Sequence, residues 1–330
     1  LTKQLQYILE RWKEFIPDLV EDLLRVLDVI KEEQRPVFLP GPGQCYEPDY
    51  SSLDMEIEQF SQDSNWMPRV IMIAKSTLVW LDQLSRAYGY SVTRLDQIPD
   101  RELDLLAERG FTVLWLIGLW ERSDASRTIK HRCGNPEADA SAYSLKRYDI
   151  ADSLGGWSAL DNLRRRCLDR GLRLASDMVP NHTGLDSDWM IERPELFLQT
   201  SLPPFPSYSY NSEAVCSQGS VEVFIEDHYY DRSDAAVTFK RWDRASGQVS
   251  YIYHGNDGTS MPWNDTAQLD YLNPETRETV IQTILHVAKN FPVIRFDAAM
   301  TLAKRHIQRL WYPKPGHGGD IPGRAAFGLT

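Results

Sequence analysis

The sequence has no long hydrophobic run and no excess of positive charge. No segment of its 330 residues approaches the roughly 18 uninterrupted apolar residues that indicate a membrane-spanning helix. The formal net charge is −11, which disfavours binding to nucleic-acid phosphates, and the basic triplet Arg164 to Arg166 has the spacing of a solvated helix face. The composition therefore argues against both a membrane and a nucleic acid as partner.

Cysteine is also scarce, and its spacing excludes a common type of metal site. The four cysteines lie far apart and form no Cys-x-x-Cys pair; they are Cys45, Cys133, Cys167 and Cys216. This arrangement argues against a zinc site and for unpaired thiols in a reducing compartment, which favours a cytoplasmic location. The first residue is Leu1 rather than methionine, so the sequence does not decide the localisation.

Four segments follow one another along the chain. Residues 1–68 combine an amphipathic helical pattern over positions 5–30 with a linker rich in proline, glycine and serine, which predicts an N-terminal helical extension. Residues 69–184 and 263–330 alternate apolar strands with helices. Residues 185–262 separate these two parts, so we expect one α/β domain that is interrupted by an insertion.

Four continuous apolar runs define the strands of that domain. They are RVIMIAKSTLVWL, FTVLWLIGLW, LRLASDMV and FPVIRFD. The helices between them end at Gly110 and Gly171 or begin at Asn273, which are typical helix-end and helix-start residues. Strands that are buried on both faces and joined by helices form parallel sheets, so the sequence predicts a parallel sheet covered by helices.

The insertion after the third strand is predicted to be rich in β-structure. Residues 185–262 are too long for an ordinary connection within a compact domain. They contain three strand-like pieces, VEVFI, AVTFKRW and QVSYIYH. We therefore expect a small β-rich inserted domain.

The strand FPVIRFD carries a cation and a carboxylate on one face. Side chains alternate along a strand, so Arg295 and Asp297 point the same way at its C-terminal end. Arg295 stays charged and would hold Asp297 ionised, as a nucleophilic carboxylate requires. A buried structural ion pair explains the same two residues, and the pair alone does not decide between these interpretations.

The third strand delivers polar residues in the same manner. Asp177 and Asn181 share one face of SDMVPNH, and Pro180 stops strand pairing, which leaves His182 just past the strand end. A neutral imidazole at that place can donate a hydrogen bond to a ligand hydroxyl, although a structural histidine is an equally available interpretation.

Two tyrosines follow the second strand. Tyr143 and Tyr148 lie in SAYSLKRYDIADSLGG, which we expect to form a loop at the same end of the sheet. A flat ring there can stack on a sugar face, and the alternative is a loop that is anchored by burying its aromatic rings.

Four of these stretches, in this order, resemble the α-amylase family of glycoside hydrolases (family 13). SDMVPNH resembles the family's first conserved region, Asp-x-x-x-Asn-His, and VIRFDAAM resembles the second, Arg-x-Asp. QLDYLNP is similar to a short motif near the end of the family's inserted domain. AYSLKRYDI resembles a Gly-Tyr-x-x-x-x-Tyr segment, with Ala142 in place of the glycine. The resemblance covers roughly residues 69–330.

The resemblance implies a (β/α)8 barrel and a retaining mechanism. Asp297 would be the nucleophile that forms a covalent glycosyl-enzyme, and Arg295 would orient it. His182 would hydrogen-bond the sugar at the cleaved bond, with Tyr143 stacked beneath that sugar and Tyr148 close by. The chemistry requires no cofactor.

Two further residues would support the site according to the resemblance. Asp177 would be a structural acid beside Arg295. Asn181 matches a position that binds calcium in some members of the family, which allows a structural calcium ion.

The sequence departs from the family pattern in two respects. The family often has Lys-His three and four residues after the nucleophile, where this chain has Met300 and Thr301. A retaining glycosidase also needs a second carboxyl group as general acid and base, and the family takes it from a glutamate on the fifth strand. After Asp297 the sequence contains no glutamate, and its only acid is Asp320.

These departures predict an N-terminal fragment of the barrel. Only four barrel strands are recognisable, whereas a closed barrel has eight. We therefore expect only the first half of the barrel, with the general acid beyond residue 330. The isolated segment is expected to be inactive towards α-glucans, with no measurable release of reducing sugar.

Three functions remain open from the sequence. The first is an enzyme acting on α-glucosidic bonds of α-glucans or oligosaccharides, either a hydrolase or a glucanotransferase. The second is a non-catalytic carbohydrate-binding or interaction protein on the same scaffold. The third is an unrelated barrel enzyme with a phosphate site, and the glycine-rich GHGGDIPG lacks the Gly-Lys-Ser/Thr ending of a phosphate loop.

Overall fold

The computed structural model describes Tyr7, Trp311 and residues 62–233, 236–256, 262–303 and 306–307. The chain divides into two compact units, Leu1–Asp63 and Ser64–Thr330, and the sheets all belong to the second unit. The helices that the sequence predicts over positions 5–30 lie outside the described residues, apart from Tyr7.

The described residues form thirteen strands and seven α-helices with defined bounds. The strands are β1 (Met72–Ser76), β2 (Val113–Ile117), β3 (Trp120–Arg122), β4 (Leu145–Ile150), β5 (Arg173–Met178), β6 (His182–Gly184), β7 (Gln199–Thr200), β8 (Cys216–Gln218), β9 (Val221–Ile225), β10 (Thr238–Asp243), β11 (Val249–Tyr253), β12 (Thr266–Gln268) and β13 (Val293–Phe296). The helices are α1 (Thr77–Tyr88), α2 (Asp100–Glu108), α3 (Asp124–Arg132), α4 (Gly156–Leu168), α5 (Asp188–Glu192), α6 (His228–Asp231) and α7 (Pro274–Asn290).

The predicted parallel sheet is confirmed. Its four strands pair in the order β1-β2-β5-β13, and every pair is parallel. Val113, Leu114 and Leu116 of β2 are fully buried, as are the middle residues of β5, which explains why these strands read as continuous apolar runs. The arrangement corresponds to four strand and helix units of a barrel, and the absence of the other units stays a prediction.

The first predicted strand is too long, and the chain turns into a helix within it. β1 ends at Ser76, and α1 begins at Thr77. From there the buried residues Trp80, Leu81 and Leu84 recur at spacings of three and four, which places them on one helix face. Helical periodicity therefore prevails over the β-branched composition of RVIMIAKSTLVWL.

The second predicted strand also divides. β2 ends at Ile117, and Gly118 has a φ of +81°, a conformation that favours glycine. The chain then forms β3, which pairs with β4 rather than with the parallel sheet. A Cβ atom on Gly118 would also lie 2.2 Å from the Arg122 guanidinium, so glycine is required here for two reasons.

The insertion contains a five-stranded antiparallel sheet, where the sequence predicts β-rich structure with three strand-like pieces. Its strands pair in the order β7-β11-β10-β9-β8. The chain returns from it through β12, which pairs antiparallel with β6 and joins Gln268 to His182 in register. This short ladder fixes the end of the insertion against the residues that follow β5.

Helix α7 leads from the insertion back to the parallel sheet. The side chain of Asn273 accepts a hydrogen bond from the backbone N–H of Glu275, and Pro274 occupies the first turn, so the predicted helix start is confirmed. None of the helices in the described part of the chain has the length and apolar character that crossing a membrane requires.

Candidate active site

The parallel pairing of β5 with β13 brings three charged side chains together. The register places Arg295 beside Asp177, and the backbone N–H of Asp297 donates to the Met178 carbonyl at 2.8 Å. Arg295 Nη1 donates to Asp297 Oδ1 and lies 3.5 Å from Asp177 Oδ1. The guanidinium therefore lies between two carboxylates, at the C-terminal end of neighbouring parallel strands.

Two aromatic rings hold the guanidinium in place. Arg295 Cζ lies 5.6 Å from the ring centre of Trp115 and 5.5 Å from that of Tyr143. Attraction between a cation and aromatic faces is strongest where water is partly excluded. Burial by itself would lower the pKa of Arg295, but the charge of Asp297 and their hydrogen bond raise it. The cation is therefore permanent and fixed in position.

The two carboxylates occupy different environments. The side chain of Asp177 is 3% exposed and that of Asp297 is 19% exposed. Burial raises the pKa of Asp177 to about 6, although a hydrogen bond from Trp115 Nε1 at 3.2 Å and the charge of Arg295 oppose this rise. Only Asp297 is placed to meet a ligand, whereas Asp177 acts on Arg295 from within the fold.

His182, the first residue of β6, lies next to an indole ring. Its ring centre is 5.0 Å from that of Trp263, with a tilt of 58° between the planes. The backbone of Gly255 lies close to His182. A Cβ atom on Gly255 would lie 2.5 Å from Thr266 Oγ1 and 3.1 Å from His182 Cβ. The end of the insertion therefore packs directly on the predicted sugar-binding histidine.

Asn181 is the centre of a buried hydrogen-bond network. Its side-chain oxygen accepts from Gln268 Nε2 and from Thr301 Oγ1, both at 2.9 Å. Gln268 donates a full bond to that oxygen, whereas the single hydroxyl hydrogen of Thr301 is shared with the Ala298 carbonyl at 2.7 Å. The described residues also contain no cluster of three or more His, Cys, Asp or Glu that could hold a metal ion. Asn181 thus fits a structural hydrogen-bond acceptor and does not fit a calcium ligand.

A pocket of about 290 Å³ opens at Asp297. It brings together three of the predicted site residues, Tyr143, His182 and Asp297. The remaining lining residues were not predicted; they are Ser141, Trp263, Asp265 and Thr266. Burial raises the pKa of the Tyr143 phenol, so its ring is neutral. The pocket therefore combines an exposed carboxylate with an imidazole and two flat aromatic rings.

Asp265 is firmly anchored at the edge of this pocket. Its Oδ2 accepts from Ser126 Oγ at 2.6 Å, and its backbone carbonyl accepts from Ser144 Oγ at 2.6 Å. Trp263 and Asp265 come from the last turn before β12, and only the pairing of β12 with β6 reveals that they reach the pocket. Their proximity in sequence to QLDYLNP is the one signal that could have suggested them.

Tyr148 does not reach this pocket, contrary to the prediction. It lies in strand β4 rather than in a loop, and its hydroxyl donates to the Val179 carbonyl at 3.1 Å and accepts from the Val179 N–H at 2.9 Å. Its ring packs on Trp120 at 5.2 Å, and burial raises its pKa. The pairing of β4 with β3 turns the ring away, so Tyr148 supports β5 from a separate cavity.

Comparison with known proteins identifies what this chain is similar to. The family model for the α-amylase catalytic domain matches residues 94–306. Glucan 1,6-α-glucosidase from Streptococcus dysgalactiae subsp. equisimilis is 26% identical over 95 residues, which are 28% of this chain and 15% of that protein.

Solved structures show the same type of similarity. Isomaltulose synthase from Klebsiella sp. LX3 has 18% identity and a TM-score of 0.46, covering 78% of this chain and 37% of that structure. A maltogenic α-amylase from Thermotoga neapolitana has 17% identity and a TM-score of 0.41, covering 73% of this chain and 43% of that structure. The chain thus spans less than half the length of each of these relatives.

Proposed function

The chain belongs to the α-amylase family of glycoside hydrolases, and from this premise we propose that the pocket at Asp297 cleaves or transfers α-glucosidic bonds of α-glucans or oligosaccharides. The observation that carries the proposal is the partly exposed carboxylate of Asp297, which is hydrogen-bonded to a permanent cation at the mouth of a pocket. The buried structural pair that the sequence also allows would be sealed from solvent, whereas 39% of the Arg295 side chain and 19% of the Asp297 side chain are exposed.

Asp297 would act as the nucleophile. Its carboxylate attacks the anomeric carbon of the bound sugar, a glycosyl ester forms, and the bond to the leaving oxygen breaks. Water then hydrolyses the ester in a hydrolase, and a sugar hydroxyl takes its place in a glucanotransferase. Arg295 would orient Asp297, because it donates to one carboxylate oxygen and leaves the other for the sugar.

The leaving oxygen needs a proton from a second carboxyl group. In retaining glycosidases that group lies about 5–5.5 Å from the nucleophile. Asp177 is unsuited because it is 3% exposed and lies on the inner side of Arg295. Asp265 is unsuited because it is held by Ser126. The general acid and base therefore stays a prediction, that of a glutamate on a later barrel strand.

The remaining pocket residues would bind the sugar. Tyr143 offers a flat ring on one side of Asp297, and Trp263 offers another beside His182. Sugar rings have apolar faces that pack on aromatic rings and hydroxyl edges that need hydrogen-bond partners. His182 and Asp265 would supply such partners. The similarity to a glucan 1,6-α-glucosidase supports an α-glucan as the substrate class.

The proposal is tested with α-glucosyl fluoride, whose leaving group departs without a proton from the enzyme. We expect the chain to release fluoride, and we expect Asp297→Asn to reduce this release to the level of the uncatalysed reaction while sugar binding persists. The matched control is Asp82→Asn, which makes the same chemical change at an exposed position on α1 and should leave the rate unchanged. Undiminished fluoride release by Asp297→Asn would remove Asp297 from its role.

A further inference from the structure

A second cavity lies outside the pocket at Asp297. Its volume is about 470 Å³, compared with about 290 Å³ for that pocket, and the two share no lining residue. Three elements enclose it, namely β4, α5 and α7. The volume is within the range of roughly 300–1,000 Å³ that is typical of small-molecule sites. The cavity is therefore large enough for a ligand and is separate from the proposed chemistry.

Strand β6 separates the second cavity from the pocket at Asp297. His182 lines the pocket at Asp297, and Thr183 lines the second cavity. Successive side chains of a strand point to opposite faces, so two neighbouring residues can serve two different sites. A ligand in the second cavity would therefore lie one strand thickness from the active site.

The charges around the second cavity are mutually compensated. Arg147 Nη1 lies 3.4 Å from Asp188 Oδ2. Arg193 lies 3.3 Å from a Glu275 carboxylate oxygen, and Lys146 lies 3.4 Å from an Asp124 oxygen. Glu278, the remaining charged residue of the lining, accepts a hydrogen bond from Gln282 Nε2 at 2.7 Å, so each charged side chain of the lining has a partner within the fold. This arrangement disfavours an anionic ligand such as a phosphate and favours a neutral one.

The aromatic walls of the second cavity are fixed before any ligand binds. The hydroxyl of Tyr148 is bonded to both the N–H and the carbonyl of Val179. His286 Nε2–H donates to the Tyr148 carbonyl at 3.0 Å, and the imidazole packs on Trp157 at 5.7 Å. Rigid walls lower the entropic cost of binding. The rings of Tyr148 and His286 therefore form a preorganised surface.

Polar groups accompany these rings. Within the described part of the chain, no group accepts a hydrogen bond from the indole N–H of Trp189. Gln282 and Thr283 of α7 also line the cavity; their side chains donate to Glu278 and to the Thr279 carbonyl, which leaves their oxygens as acceptors for a ligand. Flat apolar faces bordered by uncharged hydrogen-bonding groups match the two-sided chemistry of a sugar ring better than a purely apolar ligand.

We propose that this second cavity binds a neutral oligosaccharide, a segment of the same α-glucan that the pocket at Asp297 acts on. The identity of the sugar rests on the proposed function, whereas the existence of the site rests on the cavity itself. A chain held here would keep a polymeric substrate close to the pocket on the other side of β6.

The test follows the two sites separately by NMR of the tryptophan indole N–H groups in ¹⁵N-labelled protein. Ten signals are expected from the ten tryptophans. Those of Trp189 and Trp263 are assigned by their loss in Trp189→Phe and Trp263→Phe. Maltoheptaose is the probe, and sorbitol at the same hydroxyl concentration is the control, because it lacks ring faces. We expect maltoheptaose to shift both signals with saturation, and sorbitol to shift neither.

A substitution at an exposed position tests the cavity without a risk to folding. Gln282→Ala on α7 should weaken the titration of the Trp189 signal at least about threefold, which corresponds to the loss of one hydrogen bond. It should leave the titration of the Trp263 signal unchanged. Gln248→Ala, on an exposed turn of the inserted sheet, is the matched control and should change neither.

The outcomes separate this inference from the proposed function. If the Trp263 signal shifts and the Trp189 signal does not, the second site is refuted and the proposed function stands. If only the Trp189 signal shifts, the second site stands and the proposed function fails. An equal response of Trp189 to sorbitol overturns the inference. So does a response of Trp189 to the apolar dye 8-anilinonaphthalene-1-sulfonate without one to maltoheptaose.

Discussion

Gln268→Met removes the polar group that ties the insertion to the active-site strand while nearly conserving the side-chain volume. Gln268 is 3% exposed, and its Nε2 donates to the side-chain and main-chain oxygens of Asn181 at 2.9 and 3.1 Å and to the Leu269 carbonyl at 3.2 Å. Its Oε1 accepts from the Asn256 N–H at 3.2 Å. A thioether replaces none of these bonds.

The expected loss follows from the partners that remain. The side-chain oxygen of Asn181 keeps its bond from Thr301, and its main-chain oxygen keeps the bond from the Leu269 N–H. The Leu269 carbonyl, the Asn256 N–H and the Asn181 Nδ2 group each lose a bond, and the loss of such a bond by a buried polar group costs about 1–3 kcal/mol. We therefore expect a destabilisation of about 2–4 kcal/mol, or a fall in Tm of roughly 5–15 °C for a unit of this size.

Thermal unfolding with and without calcium is the assay. Gln248→Met makes the same chemical change on an exposed turn and should stay within about 0.5 kcal/mol of the unchanged protein. Because Asn181 is engaged by protein donors, neither calcium nor a chelator should move the Tm of the unchanged protein. A Gln268→Met protein as stable as its control, or a Tm that rises with calcium, would refute the reasoning about this network.

Further predictions concern the neighbours of the pocket. Trp263→Ala should raise KM at least about tenfold for fluoride release from α-glucosyl fluoride, as expected from a lost aromatic contact, with Trp242→Ala in the inserted sheet as a neutral control; equal KM values would exclude Trp263 from binding. Burial raises the pKa of Asp177 to about 6, so the folded state holds this proton more tightly than the unfolded state, and ionisation lowers the free energy of unfolding between about pH 4 and pH 6. The free energy of unfolding, measured in urea, should therefore fall less for Asp177→Asn than for the unchanged protein as the pH rises over that range. Parallel pH profiles for the two proteins would contradict this. Tyr148→Phe should cost about 1–3 kcal/mol by removing the hydroxyl from Val179, without changing KM; a raised KM would return Tyr148 to the substrate pocket.

The sequence predicts those parts of the fold that depend on neighbouring residues. Strands β2 and β5 were recognisable because burial on both faces leaves a continuous apolar run, and helix α7 was recognisable from its capping asparagine. The first strand was predicted too long because β-branched composition and helical spacing overlap in the same run. The second part of this run forms α1 because its apolar residues pack as one buried helix face, and that packing cannot be read from the sequence.

The candidate site was predictable where it depends on strand alternation and not where it depends on distant pairing. Arg295 and Asp297 point the same way because they lie two residues apart on a strand. Trp263 and Asp265 reach the pocket only through the ladder between β6 and β12, which no local pattern reveals. Tyr148 was wrongly assigned to the pocket because the sequence does not reveal that its strand β4 pairs with β3, which turns the ring away.

The most direct test of the account is to trap the glycosyl-enzyme. A 5-fluoro-α-glucosyl fluoride forms the covalent ester through a leaving group that needs no protonation, and the ring fluorine slows its hydrolysis. Mass spectrometry of the digested protein should then show one fluoroglucosyl unit on the peptide containing Asp297, and no such unit in Asp297→Asn. A label on another residue, or an unlabelled Asp297 peptide at saturating reagent, would contradict the claim that this carboxylate is the nucleophile.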